Sequence, residues 1–144
     1  MRLQTQRELL PNLQGLGPLV EVRLAVGSII EEVLRKDDQL VPAPILVNAM
    51  IDTGATGTVV REDIPAQLGL DPTGVTLINT PSSTDVECYE YLVRLLFPNR
   101  VVVETTVIGA PLKGQHIQSL IGRDVLRHGV FIYIGYTNTF TLSF

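Results

Sequence analysis

The stretch Ile45-Leu46-Val47-Asn48-Ala49-Met50-Ile51-Asp52-Thr53-Gly54-Ala55-Thr56-Gly57 decides how this chain reads. Its first seven residues are apolar apart from Asn48, the pattern of a buried strand, and they run straight into a carboxyl. A carboxyl at the end of a buried strand is costly to desolvate unless it is hydrogen-bonded or used. Gly54 lets the backbone turn and bring its N–H to that carboxyl, and Thr53 adds a hydroxyl within the same turn. Two such loops facing each other would let two carboxyls share one proton, one serving as base and the other as acid. Alone, the triplet is also ordinary turn chemistry, because Asp and Gly are common turn residues, so the decision rests on the flanking sequence.

Upstream, Val20, Val22, Leu24 and Val26 alternate with Glu21, Arg23 and Ala25, the period of a half-buried strand. Between the two strands, Ser28-Ile29-Ile30-Glu31 has the form of a capping box, with Ile29, Ile30, Val33 and Leu34 on one face of a short helix and Pro42 and Pro44 closing the insertion. Downstream, Asp63 to Leu68 forms a short amphipathic piece with Pro65 in its first turn and Gly69 to stop it. Gly74 to Ile78 and Glu87 to Phe97 are strands separated by the polar run Asn79-Thr80-Pro81-Ser82-Ser83-Thr84, a long polar-tipped hairpin. Pro98-Asn99-Arg100 turns the chain into a strand from Val101 to Ile108. At the end, Phe140, Leu142 and Phe144 alternate with Thr139, Thr141 and Ser143 after a turn at Gly135 to Asn138, which closes a terminal hairpin. The class is mainly β. Residues 1–18 lack a clean period and read as a tail or arm, leaving 19–144 as one domain.

Leu120-Ile121-Gly122-Arg123-Asp124-Val125-Leu126 supplies the second signal, two apolar residues, a glycine and a helix start. With Asp52-Thr53-Gly54-Ala55 behind its apolar strand, it resembles the paired signatures of the retropepsin family, the single-domain aspartic proteases of retroviruses and their cellular and bacterial relatives. The resemblance covers roughly Leu19 to Phe144. It implies a closed β-barrel with one or two short helices, and it places the hairpin tip Asn79 to Thr84 as the flap over the substrate. It also implies that Asp52 is catalytic, with Thr53, Gly54 and Ala55 supporting the active-site loop and Gly122, Arg123 and Asp124 structural beneath it. Such an enzyme hydrolyses peptide bonds without a metal or organic cofactor, and its substrate is an extended peptide or unfolded protein. Ala55, Leu77, Ile78 and the apolar positions of Val101 to Val107 are candidates for lining the side-chain pockets.

The family reaction needs two Asp-Thr-Gly loops and the chain has one, since Asp71-Pro72-Thr73-Gly74 is spoiled by its proline. A C2 homodimer with one Asp52 from each subunit is therefore expected. Several residues depart from the viral pattern. Many viral members carry an acidic residue two places after the motif glycine to pair with the second-signature arginine, and that place is Thr56 here. Glu62, Asp63 or backbone carbonyls of the Asp52 loop or of the partner subunit are then the expected acceptors for Arg123. The hairpin tip carries Pro81 and hydroxyl residues where viral flaps carry glycine.

Composition narrows the alternatives. At 144 residues, with 45% apolar and 18% charged residues, the chain can bury a core without staples. A formal charge of −4 offers no basic field for nucleic acid or an anionic membrane. Cys88 is the lone cysteine, which excludes an internal disulfide and zinc sites built on paired thiolates, and neither His116 nor His128 has a metal-ligand spacing. No signal-like or membrane-length apolar run is present, so a cytoplasmic location is expected. Gly54-Ala55-Thr56-Gly57 after a strand also resembles the start of a nucleotide fingerprint, but Val60 stands where the third glycine belongs and Pro65 interrupts the helix. A catalytically silent peptide-binding dimer of the same fold is the remaining alternative.

Overall fold

The computed structural model describes residues 5–9, 12–112 and 114–144, with residues 5–9 as backbone alone. In chain order the elements are β1 (Thr5–Leu9), α1 (Leu13–Leu16), β2 (Leu19–Val26), α2 (Ser28–Lys36), β3 (Ile45–Ile51), β4 (Val59–Arg61), α3 (Asp63–Gln67), β5 (Gly74–Thr80), β6 (Ser83–Phe97), β7 (Val101–Ala110), β8 (Ser119–Ile121), α4 (Arg123–Leu126), β9 (Val130–Ile134) and β10 (Thr139–Ser143). Only α2 and α3 exceed a single turn, so the molecule is mainly β.

The large sheet runs β2-β3-β8-β4-β7-β6-β5, and β6 also pairs back onto β2 through Arg23↔Leu96 to Val26↔Val93. That second pairing closes six strands into a barrel and leaves β5 outside it on β6. Closure removes the edges an open sheet would expose. The inward positions of β2, Val20, Val22, Leu24 and Val26, are buried, and they meet Val47, Ala49 and Ile51 of β3, Val93 and Leu95 of β6, and Val107 and Ile121 in one core. Period-two patterning set this face, because successive strand side chains point to opposite sides.

Residues 5–9 pair antiparallel with β10, from Thr5↔Ser143 to Leu9↔Thr139, in a second sheet ordered β1-β10-β9. Leu13 of α1 is buried in the barrel core. The terminal sheet is fastened to the barrel by Phe144, whose ring lies 5.1 Å from that of Phe97, and is braced within itself by Phe131 on Phe140 at 5.9 Å.

Two elements differ in detail from the sequence expectation. A helix does form at Ser28, but the capping box does not: Gly27 is the N-cap residue and makes no side-chain cap bond. The Ser28 hydroxyl turns to Glu104 on β7, and Glu31 is taken up by arginines. The polar run between β5 and β6 is also shorter than expected, since the strands continue to Thr80 and resume at Ser83. Thr80 Oγ1 accepts the Ser83 N–H at 3.1 Å, and Asn79 Oδ1 accepts that of Asp85 at the same distance, so polar residues cap the turn and free their neighbours to pair. Leu77 and Ile78 are consecutive on β5 and therefore face opposite sides; Leu77 is exposed and Ile78 stands opposite Val86.

Candidate active site

Asp52 follows β3 at the point where that strand pairs in parallel with β8, Ile51 against Ile121. Its N–H donates to the Ile121 carbonyl at 2.9 Å, which fixes the backbone as the chain leaves the sheet. The next turn folds back on the carboxyl. Gly54 N–H donates to Asp52 Oδ1 at 2.9 Å, and a side chain at residue 54 would bring its Cβ to 3.1 Å of that same oxygen. Among the described residues no hydrogen bond reaches Oδ2, so half of a partly buried carboxyl stays available to something outside the chain.

A second loop locks the first from below. Arg123 N–H donates to the Ala55 carbonyl at 2.9 Å and Asp124 N–H to the Thr56 carbonyl at 3.2 Å. The Asp124 carboxylate accepts the Thr58 N–H at 3.0 Å and its hydroxyl at 2.8 Å, and the Thr58 oxygen in turn accepts the Gly122 N–H at 3.1 Å. Gly122 is required for this approach: a Cβ there would lie 2.6 Å from backbone atoms of Gly57. No side-chain rotation relieves a clash with backbone.

Arg123 reaches the active-site loop directly. Its Nη1 donates to the Thr53 carbonyl at 2.8 Å and its Nη2 to the Thr56 hydroxyl at 3.1 Å. Among the acceptors expected from sequence, a carbonyl of the Asp52 loop is the one used. Asp63 is occupied by Arg61, which bonds it through both Nε and Nη2, so that carboxylate is held below its usual range and is unavailable to Arg123. Thr56 keeps the contact as a neutral acceptor where viral members use an acid.

Asp52, Thr53, Gly54 and Ala55 thus lie in one loop against Gly122, Arg123 and Asp124, while Asn79 to Thr84 occupy the separate tip of the β5–β6 hairpin. Sequence reasoning passed over Thr58, which is fully buried at the centre of this network. Its only signal was a hydroxyl residue within an apolar approach to β4, a pattern that fits surface turns equally well. Cys88 is buried, and desolvation followed by the charge of Glu62 pushes its thiol up, away from the reactive thiolate. Among the described residues no cluster of His, Cys, Asp and Glu could hold a metal ion, and no helix is long and apolar enough to cross a membrane.

A family model described as aspartyl protease matches residues 44–125. No curated protein matches the sequence at a significant level. Among solved structures, the chain is similar to a retropepsin-like aspartic protease from Rickettsia conorii, at 13% identity and a TM-score of 0.59, over 99% of this chain and 94% of that one. That likeness shows a retropepsin-like fold. Lower scores relate it to the protease of simian foamy virus, at 18% identity and a TM-score of 0.49 over 76% of this chain and 91% of that one. The retroviral protease-like domain of Ddi1 from Leishmania major follows at 15% identity and a TM-score of 0.47, over 87% and 88%.

Proposed function

Because the chain belongs to the aspartyl protease family, with a matched segment that spans both loops of the site, we propose that it is an aspartic endopeptidase working as a C2 homodimer. Each subunit contributes one Asp52. The two carboxyls hold a water between them; one removes its proton as the oxygen attacks the peptide carbonyl, and the other hydrogen-bonds the carbonyl oxygen. Collapse of the tetrahedral adduct breaks the C–N bond as the departing nitrogen takes a proton.

The observation that carries this reading is the Asp52 carboxyl itself, with Oδ1 held by Gly54 N–H and Oδ2 unbonded among the described residues. Thr53 and Gly54 serve as loop support, and Gly122, Arg123 and Asp124 form the brace beneath it. The β5–β6 hairpin is proposed as the flap, covering an extended peptide that pairs as an added strand. Its capped tip restricts motion to the whole hairpin.

Incubation with an unstructured protein, with and without a transition-state-mimicking aspartic protease inhibitor, tests the proposal. Cleavage by the wild type that the inhibitor blocks, and that Asp52→Asn lacks, is expected. Inhibitor binding with no cleavage at any pH would establish the silent peptide-binding dimer instead.

A further inference from the structure

A concavity lies at the end of the barrel remote from Asp52. It has a volume of about 360 Å³ and is bordered by Ala25 and Val26 of β2, the segment Val41-Pro42-Ala43-Pro44, and Leu96 of β6, with Glu31, Arg35 and Arg94 as its charged members. Val41 to Pro44 lead into the start of β3, and Asp52 follows its end, so the length of that strand, about 20 Å, separates the two places.

The polar groups of this cavity are unevenly satisfied. Glu31 Oε1 accepts both Nε and Nη2 of Arg35, and Oε2 accepts Nη2 of Arg94. The Arg94 Nε donates to the Val26 carbonyl at 2.8 Å. Both carboxylate oxygens are therefore engaged, while Nη1 of each guanidinium has no hydrogen-bond acceptor among the described residues. Two cations share one anion at the cavity, and what remains is donors with positive charge, from the partly buried Arg94 and the exposed Arg35, at the rim of its aliphatic and proline border. A guanidinium edge matches a carboxylate in shape and charge, and a cavity of this size whose border is part charged and part aliphatic suits a small body that carries a charged end and an apolar end.

We propose that this cavity binds a carboxylate carried on a small apolar group, held by Arg35 and Arg94 with its apolar part against Val41, Pro42, Pro44 and Leu96. The site stands apart from peptide hydrolysis and does not depend on it. A free aliphatic acid and the C-terminal carboxylate of a short peptide present the same chemistry.

The test is titration of the isotope-labelled full chain, followed by amide NMR, with hexanoate, hexanamide, acetyl-Val-Leu and acetyl-Val-Leu-amide. At least one acid should shift the amides of Ala25, Val26, Arg35 and Val41 saturably while its amide does not; which acid does so identifies the source. Arg35 is exposed on a surface helix, so Arg35→Gln keeps the fold, and it should weaken the acid about tenfold. Arg35→Lys should recover part of the loss. The proposal is overturned if the amides bind as well as the acids, if Arg35→Gln leaves the affinity unchanged, or if neither acid shifts these residues at millimolar concentration.

Discussion

The carboxylate of Asp124 accepts both the N–H and the hydroxyl of Thr58, at 3.0 and 2.8 Å, across 66 positions of sequence. Thr58 is fully buried and also takes the N–H of Gly122, so one hydroxyl ties the strand after the Asp52 loop to the turn before α4. Replacing Thr58 by Val keeps the volume and the backbone N–H bond to Asp124, removes the hydroxyl from Asp124 Oδ1, which still accepts the Val125 N–H, and leaves the buried Gly122 N–H without its acceptor. Leaving buried polar groups unmet costs about 1–3 kcal/mol each. Thr58→Val should lower the urea midpoint accordingly, and Asp124→Ala should do the same by a similar amount. Because both variants break one network, the double variant should lose much less than the sum. Full additivity in denaturant unfolding would show that the network does not stabilise the fold as a unit.

Asp52→Asn should abolish cleavage while leaving a folded protein. The amide oxygen can still accept the Gly54 N–H, so the loop keeps its shape and the base alone is lost. Circular dichroism should overlay the wild type, and a discontinuous protease assay should read background. Residual turnover by rigorously purified variant would place the base elsewhere.

Much of this arrangement was legible in the residues, and the reasons differ from place to place. The alternation Val20, Val22, Leu24, Val26 gave the inward face of β2 because a strand has only two sides. Asp52-Thr53-Gly54 and Gly122-Arg123-Asp124 were visible as motifs, yet their mutual contact was expected only through the family resemblance, since nothing local says that β8 pairs in parallel with β3. Ser28 and Glu31 matched a capping box, and the match misled because Glu104 and Arg94, distant in sequence, compete for the same side chains. Tertiary partners override local signals wherever they offer a charge-assisted bond.

Acid should weaken the fold through two carboxylates away from the site. Hydrogen bonds from Arg35 and then Arg94 hold Glu31 below its usual range, and Arg61 does the same for Asp63. A carboxyl depressed in the folded state contributes stability that is fully present above its unfolded pKa, near about 4, and is lost as pH falls through the lower folded value. Urea midpoints should therefore be flat from neutral pH to about 5 and decline below about 4. Asp63→Asn should flatten that decline, and an unchanged slope would mean the Arg61 pair contributes nothing.

The terminal sheet offers a place for the proposed second subunit. β9 pairs with β10 on one side alone among the described residues, and Val130, Ile132 and Tyr133 are about half exposed along it. An apolar edge strand unguarded by lysine or proline is a template for another strand. Ile132→Lys should accordingly move the monomer–dimer equilibrium toward monomer in sedimentation, with activity falling in parallel and recovering as concentration rises. A variant that stays dimeric at nanomolar concentration would put the interface on another surface.

Arg123 is a positioning residue for the loop that carries Asp52. Its guanidinium bonds the Thr53 carbonyl and the Thr56 hydroxyl, on either side of Gly54, from an exposed position. A helix start disfavours positive charge, and these two acceptors, with the Asp124 carboxylate beside it, offset that cost. Exposure keeps the net worth of the contacts near about 1 kcal/mol, so Arg123→Ala should remain folded with a modest fall in urea midpoint. A loosened loop misplaces the carboxyl and weakens any contact the loop makes with a second subunit. Specific activity should then drop, and raising the protein concentration should restore the part due to dissociation. Arg123→Lys retains charge but cannot span both acceptors, so it should recover activity only in part. Specific activity against enzyme concentration, read beside the dimer fraction, separates the two contributions. A variant that stays dimeric and stable with kcat unchanged and KM raised would make Arg123 a substrate-binding residue.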